Sequence, residues 1–404
     1  MTICIGIIRE TKTPTDNRVP LLPIDCRELQ ILYPQVKFKI QPSPLRCYKD
    51  QEYINEGVQI QEDLSSCDLL LGIKEVARET LLEGKTYMFF SHTIKKQPHN
   101  RKMFHKIIKK RNTLIDYELL TDDAGQRLIG FGYWAGMVGA HYGLILIGIK
   151  SGAYDLKPGW LCHDVSAMTG QYHEIQIPPV KIVVTGGGRV AKGALEIMKS
   201  AGIRKVSKDR FLNDSFSEPI FLQLHSEDLF KAKNNDSFVK KDFYLYPERY
   251  ESNFQLFTKI TDVLINCIYW DPRAPSLFTS AETLSPDFKI GTISDISCDI
   301  EGSVPITLRT STTEKPYMGY DPTQKQITEP FGKNTIDIMA IGNLPNELPR
   351  DASADFSHVM KNIVIPNYLK DHQSPLFERA TIVRHGELTK TFAYLSDYAE
   401  GVEF

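Results

Sequence analysis

A glycine-rich turn between a strand and a helix is the feature that most restricts what this chain can fold into. Residues 180–193 read VKIVVTGGGRVAKG, and Gly186, Gly188 and Ala191 match the pattern G-x-G-x-x-A. An apolar run precedes the turn, and the apolar residues after it repeat at helical spacing. This context is typical of a dinucleotide-binding sheet, in which the N-terminus of the helix faces a pyrophosphate.

The residues of this motif have separate tasks. Gly186 allows the sharp bend, and Gly188 allows a phosphate to approach the backbone. The second strand of such a unit usually ends in an acidic residue that binds the ribose 2′-hydroxyl, about 20 residues further on. Asp209 lies at that spacing, but Lys208 and Arg210 flank it and would suit a 2′-phosphate. The sequence therefore leaves NAD and NADP both open.

The first half of the chain alternates between short apolar runs and a helical pattern. Such alternation favours an α/β fold, in which helices cover a parallel sheet. A second α/β region begins with the glycine motif and extends to about residue 306, and the polar segment 308–326 resembles a return linker. The strand-like runs of the first half are residues 3–8, 36–40, 69–73, 87–91 and 113–115, with a helical pattern at 100–110.

Ionisable residues follow three of these predicted strands. Lys74 and Glu75 come after one, His92 after the next, and Glu118 after the last. The carboxyl ends of parallel strands line the ligand-binding edge of a sheet, so we expect these side chains to share one site. Lys and His are suited to proton transfer near neutral pH once their surroundings bring their pKa values close to neutral.

Two arginines, Arg18 and Arg127, are candidates for binding substrate carboxylates, because guanidinium groups bind them in a bidentate manner. Each ionisable residue alone is more often an ordinary surface group. The prediction rests on the whole set following strand ends.

Composition excludes several classes of protein. There are 48 Lys and Arg against 50 Asp and Glu, a formal net charge of −2, so no basic field exists to bind nucleic acid or an anionic membrane. The seven cysteines form no metal-binding spacing and no disulfide framework, so we expect no metal site. The N-terminus does not resemble a signal peptide. We expect a soluble cytoplasmic protein, and we interpret the charge-free residues 128–149 as a buried helix that crosses between domains.

A series of motifs runs in order through nearly the whole chain. They are ETK to RVP at 10–20, GIKE at 72–75, KTYMFFSHTIK at 85–95, LIDYE at 114–118, FGYWAG at 131–136, PERY at 247–250, INCIYW at 265–270, DISCD at 295–299 and NLP to LP at 343–349. In this combination the chain resembles the lysine-ketoglutarate reductase and lysine-forming saccharopine dehydrogenase family, within the alanine dehydrogenase-like superfamily.

The resemblance implies a fold and a reaction. The expected fold has two Rossmann-like domains with a cleft between them. A discontinuous substrate domain comprises residues 1–135 plus 315–404, and a dinucleotide-binding domain comprises 136–314. The expected activity is an oxidoreductase acting on CH–NH donors with NAD or NADP. It interconverts lysine plus 2-oxoglutarate with saccharopine by hydride transfer to or from an imine. We expect a monomer or a small homo-oligomer.

The same resemblance assigns residues. Lys74 takes the general-base position and His92 the proton-shuttle position, with Glu75 and Glu118 as acidic neighbours. The positions that match substrate contacts are Arg18, Arg127 and Lys95. The positions that match cofactor contacts are Gly188, Arg189, Tyr269, Ile296, Ile341, Asn343 and Leu344, to which the glycine motif and its spacing add Gly186 and Asp209.

Three positions depart from the family pattern. Gly342 stands where an aspartate is common, Gln126 where Arg or Val is common, and Val190 where the single-function enzyme has a cysteine that can pair with the residue at Cys267. Two alternatives therefore stay open. One is a related amino-acid dehydrogenase of the alanine dehydrogenase type, and the other is a dinucleotide-binding protein with weak or no catalysis.

Overall fold

The computed structural model describes residues 2–234 and 236–400. It divides into two compact units. The chain passes from the first unit to the second between Phe131 and Gly132, and it returns to the first between Leu348 and Pro349.

The strands and helices are numbered in chain order. The strands are β1 (Ile3–Ile7), β2 (Val36–Ile40), β3 (Gln59–Ile60), β4 (Leu69–Leu71), β5 (Thr86–Phe89), β6 (Thr113–Asp116), β7 (Lys181–Thr185), β8 (Arg204–Lys205), β9 (Ile220–Leu224), β10 (Phe230–Ala232), β11 (Tyr250–Ser252), β12 (Val263–Asn266), β13 (Thr292–Asp295), β14 (Tyr317–Asp321), β15 (Gln326–Thr328), β16 (Ile336–Met339), β17 (Thr381–Arg384) and β18 (Glu387–Leu388). The helices are α1 (Pro23–Leu32), α2 (Asp50–Asn55), α3 (Arg101–Lys109), α4 (Gly132–Ser151), α5 (Val165–Gly170), α6 (Arg189–Ser200), α7 (Lys208–Asn213), α8 (Ser226–Leu229), α9 (Lys240–Leu245), α10 (Gln255–Thr258), α11 (Pro349–Val359), α12 (Ile365–Lys370), α13 (Pro375–Ala380) and α14 (Ser396–Ala399).

The first unit is built on an eight-stranded sheet in the order β18-β17-β6-β5-β4-β1-β2-β3. The strands β1 to β6 pair in parallel, and β17 and β18 add an antiparallel edge. Burial on both faces explains the continuous apolar runs, since all of Leu69–Leu71 is buried. Because β1, β4, β5 and β6 are parallel neighbours, their carboxyl ends lie at one edge of the sheet.

The second unit has its own eight-stranded sheet, in the order β15-β14-β16-β13-β12-β7-β9-β8. The central strands β7, β9, β12, β13 and β16 are parallel, and β14 and β15 are antiparallel additions at one edge. A separate antiparallel pair, β10 and β11, packs beside this sheet. The predicted α/β class with mainly parallel sheets and flanking helices is confirmed for both units.

The predicted return of the chain to the first unit at residue 315 is wrong. Residues 315–348 contain β14, β15 and β16, which all pair within the second sheet. The segment 308–326, expected to be a linker, therefore contains the strand Tyr317–Asp321. The polar and turn residues around this strand resemble a loop in sequence, and its pairing with β15 and β16 is a long-range contact that no local pattern shows.

Residues 132–149 of the charge-free segment lie in the 20-residue helix α4, which is wholly within the second unit. Among the described residues, α4 is the one helix that is both long enough and apolar enough to cross a membrane. However, 78% of its most apolar stretch is buried in the protein. It packs closely on α6: a Cβ added to Gly136 would lie 1.8 Å from the Val190 carbonyl oxygen. The segment is a core helix, as predicted, but it does not cross between the units.

Candidate active site

The ionisable residues predicted to share a site lie at the carboxyl edge of the first sheet. Lys74 and Glu75 follow β4, His92 follows β5, and Glu118 follows β6. The loop after β1 reaches the same edge and brings Glu10 to it, where Glu10 Oε1 accepts a hydrogen bond from Ile73 N. The parallel pairing of these strands is the reason that residues far apart in sequence meet here.

Glu75 is the centre of this cluster. One carboxylate oxygen, Oε1, lies 2.7 Å from His92 Nδ1 and 3.2 Å from Asn100 Nδ2. The other, Oε2, accepts a hydrogen bond of 2.7 Å from Lys12 Nζ. Burial alone would raise the pKa of Glu75, but the hydrogen bonds from His92 and Lys12 outweigh it and hold this pKa well below its usual range. Glu75 is therefore an anion that links two basic groups.

His92 has a constrained position. Its backbone φ is +52°, in the left-handed region that few non-glycine residues adopt. Its ring stacks on Phe90, with ring centroids 6.4 Å apart and an interplanar angle of 16°. Since Nδ1 is bonded to Glu75, Nε2 is the nitrogen that this arrangement leaves for proton exchange. Unusual backbone geometry of this kind is concentrated at functional sites.

Lys74 is a base that is partly neutral near physiological pH. Burial, followed by the nearby charge of Arg18, lowers its pKa to about 8, although Asp16 and Glu75 act in the opposite direction. Its backbone is held by Glu10, whose Oε2 accepts a 3.0 Å hydrogen bond from Lys74 N. Burial, followed by the charge of Asp16, raises the pKa of Glu10 to about 8.

Arg18 and Asp16 form a buried ion pair beside Lys74. The guanidinium donates two hydrogen bonds to Asp16, at 2.9 and 2.5 Å, and both side chains are 1% exposed. Arg18 also stacks over the ring of Phe131 at 4.0 Å. Burial opposes ionisation of Asp16, but the charge and hydrogen bonds of Arg18 prevail and lower its pKa to about 2. Arg18 is thus in the predicted region but directed to a protein carboxylate.

Arg127 and Lys95 lie on the rim of the cluster. Arg127 donates a 2.8 Å hydrogen bond to Glu118 Oε1, and Lys95 Nζ is 3.3 Å from the same oxygen. Their side chains are 42% and 52% exposed, so these cations face solvent. Burial would raise the pKa of Glu118, but Lys95 and Arg127 lower it overall. The other oxygen, Oε2, has no hydrogen-bond partner among the described residues.

Sequence reasoning missed four residues of this cluster: Glu10, Lys12, Asp16 and Asn100. The first three lie in the charged loop after β1, so the rule that selected the residues after β4, β5 and β6 would also have found them. Asn100 precedes α3 and carries no such signal. Its contact with Glu75 depends on the path of the loop after His92.

The glycine turn of the second unit has the predicted geometry. It connects β7 to α6, and Gly186 has φ +88°, which explains why glycine is needed there. Gly188 is the N-cap of the 12-residue helix α6, which Arg189 begins, and no side chain caps it. A Cβ on Gly188 would have no atom within 4 Å, so the space in front of this helix end is open. The turn fits a phosphate group.

Asp209 does not lie at the end of a strand. It is on α7, where its carboxylate accepts a 2.9 Å hydrogen bond from Asn213. The strand beside β7 is instead β9, whereas β8 is a two-residue strand at the outer edge of the sheet. The expectation that Asp209 ends the strand beside β7 is therefore wrong. The chain first forms β8 at the outer edge of the sheet and only then forms β9 between β8 and β7.

The other predicted cofactor positions lie on the second unit as follows. Tyr269, in the loop after β12, is 90% exposed. Ile296, directly after β13, packs in one apolar cluster with Ile341 and Leu344, and Asn343 precedes the short helix Leu344–Glu347. A Cβ on Gly342 would have no atom within 4 Å, so the fold itself does not require glycine there.

A buried polar network joins the strand ends around the turn. Asn266, at the end of β12, accepts a hydrogen bond from Thr185 and donates to Asp295, both at 2.9 Å. Asp295 also accepts from Ser297 and Thr307, at 2.8 and 2.7 Å. These bonds fix the loops that follow β7, β12 and β13. Sequence reasoning did not assign this network.

Comparisons with known proteins agree with this architecture. Residues 6–138 match the family model described as alanine dehydrogenase/PNT, N-terminal domain. The chain is 31% identical to an alpha-aminoadipic semialdehyde synthase of Arabidopsis thaliana over 97% of its own length, and it spans 41% of that protein. It is 26% identical to a lysine-forming, NAD(+) saccharopine dehydrogenase of Emericella nidulans, over 92% of this chain and 93% of that one.

A solved structure of an L-alanine dehydrogenase has the same fold. Its TM-score is 0.66 at 17% identity, and the match covers 98% of this chain and 100% of that one. The resemblance inferred from the motifs is confirmed by these relatives. Residues 6–138 are therefore similar to the alanine dehydrogenase/PNT N-terminal domain, and nearly the whole chain is similar to alpha-aminoadipic semialdehyde synthases and to lysine-forming saccharopine dehydrogenases.

Proposed function

We propose that the protein is an NAD(P)-dependent oxidoreductase that interconverts lysine plus 2-oxoglutarate with saccharopine, acting on a CH–NH bond. The observation that carries the proposal is that Lys74, a base with a pKa of about 8, lies at the carboxyl edge of the first sheet together with the hydrogen-bonded pair His92 and Glu75. A relative named as a lysine-forming saccharopine dehydrogenase matches 92% of the chain, and an alpha-aminoadipic semialdehyde synthase matches 97% of it. The proposal concerns the half of the larger synthases that this chain spans, and not the remainder.

The residues of the second unit fit a nicotinamide dinucleotide. The open space before Gly188, the bend at Gly186 and the uncapped start of α6 are suited to its pyrophosphate. We assign Arg189, Tyr269, Ile296, Ile341, Asn343 and Leu344 to the same cofactor. When bound, the nicotinamide supplies or accepts the hydride.

Two groups of the first unit carry out the proton transfers in this proposal. The ε-amine of substrate lysine must be neutral to attack the ketone of 2-oxoglutarate, and Lys74 accepts the proton that this nitrogen loses. His92, whose Nδ1 is held by Glu75, donates a proton to the oxygen that leaves as water when the carbinolamine becomes an imine. Positioned acids and bases of this kind each contribute about 10²- to 10⁴-fold to a rate.

The rim cations are suited to the substrate carboxylates. Arg127 and Lys95 are half-exposed and both contact Glu118, which is 10% exposed, so one cation can bind a substrate carboxylate while the other still neutralises Glu118. Arg18 is different, because its guanidinium is already paired with buried Asp16. We assign Arg18 to lowering the pKa of Lys74 rather than to direct substrate binding.

We propose that the adenosine ribose is recognised at His225, and that NADP is preferred to NAD. His225 follows β9, the strand beside β7, and a Cβ on neighbouring Gly187 would lie 2.7 Å from its Nδ1. The nearby carboxylate of Asp228 is already bonded to His225 N and to Lys208 Nζ, at 3.1 and 2.9 Å. A site with His and Lys, and without an unpaired acid, is suited to a 2′-phosphate.

The test is to follow the absorbance of the reduced nicotinamide with purified protein, lysine and 2-oxoglutarate, with NADPH and NADH in parallel. We expect loss of absorbance that requires both substrates and is faster with NADPH. Turnover with pyruvate and ammonia instead would support a dehydrogenase of the alanine type. Cofactor binding without turnover in either direction would contradict the proposal and support a binding protein.

A further inference from the structure

We propose that Cys4 and Cys67 form a reversible dithiol–disulfide pair that fastens two strands of the first unit. Their sulfur atoms lie 2.9 Å apart. Cys4 is on β1, and Cys67 precedes β4, which is the parallel neighbour of β1. Neither cysteine has a place in the proposed reaction, so this inference stands apart from the proposed function.

The backbone around the two cysteines is already in position for a bond. Cys4 N donates to Asp68 Oδ2 at 2.8 Å, and Asp68 N donates to the Cys4 carbonyl at the same distance. These two bonds hold the end of β1 against the residue after Cys67. Because the sulfur atoms are in contact while both thiols are reduced, bridging them requires side-chain rotation and not a rearrangement of the sheet.

The oxidant that we propose is hydrogen peroxide, and the two cysteines have different tasks. Cys4 is partly exposed, whereas Cys67 is 0% exposed, and burial raises the pKa of Cys67 to about 12. Cys4 therefore reacts first: its sulfur takes one oxygen from the peroxide to give a sulfenic acid, and one water is released. Cys67 then attacks that sulfur, the S–S bond forms, and a second water leaves. Thiol reductants reverse the bond by exchange.

The bridge is expected to stabilise the unit without changing the active site. It lies at the amino ends of β1 and β4, whereas Glu10, Lys74 and Glu75 follow their carboxyl ends. A five-residue strand separates the two by roughly 15 Å at the usual rise per residue. The bridge closes a long loop of chain, so we expect the midpoint of thermal unfolding to rise by roughly 5–10 °C.

The experiment treats the full chain with hydrogen peroxide, blocks the remaining thiols under denaturing conditions, and maps tryptic peptides by mass spectrometry. Trypsin cuts after Arg9, Lys49 and Lys74, so Cys4 and Cys67 each lie alone in a peptide. We expect these two peptides to be linked, with a mass loss of two hydrogen atoms that dithiothreitol reverses. Thermal unfolding is measured on the same samples.

Two variants complete the design. Cys4→Ser changes the partly exposed member of the pair and should abolish both the link and the rise in unfolding temperature. Cys162→Ser, a partly exposed cysteine of the second unit, should retain both. The proposal is overturned if Cys4 is oxidised to a sulfinic acid while Cys67 is still alkylated, or if the link forms and the unfolding temperature of wild type does not rise.

Discussion

At the level of single residues, Glu75 connects the groups that we assign to proton transfer. It binds His92 through one oxygen and Lys12 through the other, and its charge raises the pKa of Lys74. Its effect on His92 is geometric, whereas its effect on Lys74 is electrostatic. The two effects are separable by experiment. Loss of the contact with His92 changes the rate at the optimal pH, whereas loss of the charge near Lys74 changes the pH profile of the rate.

The first prediction concerns the pH profile of saccharopine oxidation. Lys74 must be neutral to act as a base, so kcat/KM should fall about tenfold per pH unit below its pKa of about 8. Glu75→Gln removes a negative charge that raises this pKa, so the acid limb should move to lower pH by roughly 0.5–1 unit. Glu118→Gln, which changes a carboxylate bonded to Arg127, is the matched control and should leave the limb in place. An unmoved limb in Glu75→Gln would count against Lys74 as the base.

The second prediction concerns cofactor choice. His225→Glu places an acid at the end of β9, where it repels a 2′-phosphate and binds a 2′-hydroxyl. The ratio of kcat/KM for NADPH to that for NADH should fall about tenfold or more. Asp209→Asn is the control, because Asp209 is bonded to Asn213 on α7, and its ratio should equal that of wild type. A shift in Asp209→Asn alone would restore the spacing argument.

At the level of elements, the packing of α4 on α6 supports the glycine turn, since α6 begins at that turn. Gly136→Ala would place a methyl group 1.8 Å from the Val190 carbonyl oxygen, so the helices must separate. We expect a loss of about 1–3 kcal/mol in the free energy of unfolding. Gly143→Ala on the same helix is the control: its nearest neighbour would be a side-chain carbon of Ile265 at 3.4 Å. Equal losses in urea unfolding would mean that helix contact is not the cause.

Particular elements show how far the sequence could predict the structure. The turn at Gly186 and the ionisable residues after β4, β5 and β6 were predictable, because a glycine pattern and parallel strand ends are local signals with a fixed spatial meaning. The sequence did not predict that β14 belongs to the second sheet, or that β9 lies beside β7. Both depend on the order of strands in a sheet, which long-range pairing decides and no local pattern encodes.

The candidate site was predictable to a similar extent. Lys74, Glu75 and His92 were found as a cluster, but the pairing of Arg18 with Asp16 was not. An arginine two residues after an aspartate reads equally well as a surface ion pair or as a substrate contact. Burial of both side chains decides between them, and burial depends on the packing of Phe131 from another part of the chain.

At the level of the whole molecule, the burial that lowers the pKa of Lys74 favours its action as a base but lowers the stability of the folded protein. Its pKa is lowered from 10.5 to about 8 on folding. The unfolded chain therefore binds the proton more tightly, and stability rises with pH between these values and is reduced below them. Lys74→Met removes this cost, so the variant should be more stable than wild type at pH 7 by about 1–3 kcal/mol, a gain that shrinks toward pH 10.

Urea unfolding at pH 7 and pH 10 measures this difference. Lys12→Met, which removes a neighbouring cation that is 36% exposed, is the control and should give a smaller change. A Lys74→Met protein that is less stable than wild type at pH 7 would show that the contacts of Lys74 stabilise the folded state. In that case Lys74 would not lower the stability of the protein.

The same variant gives the most direct test of the account. The measurement compares wild type and Lys74→Met for the loss of reduced-nicotinamide absorbance that requires both lysine and 2-oxoglutarate, together with the dissociation constant for the reduced cofactor. We predict a rate lower by about 10²- to 10⁴-fold with an unchanged dissociation constant. A normal rate in Lys74→Met would show that this buried lysine is not the base of the reaction.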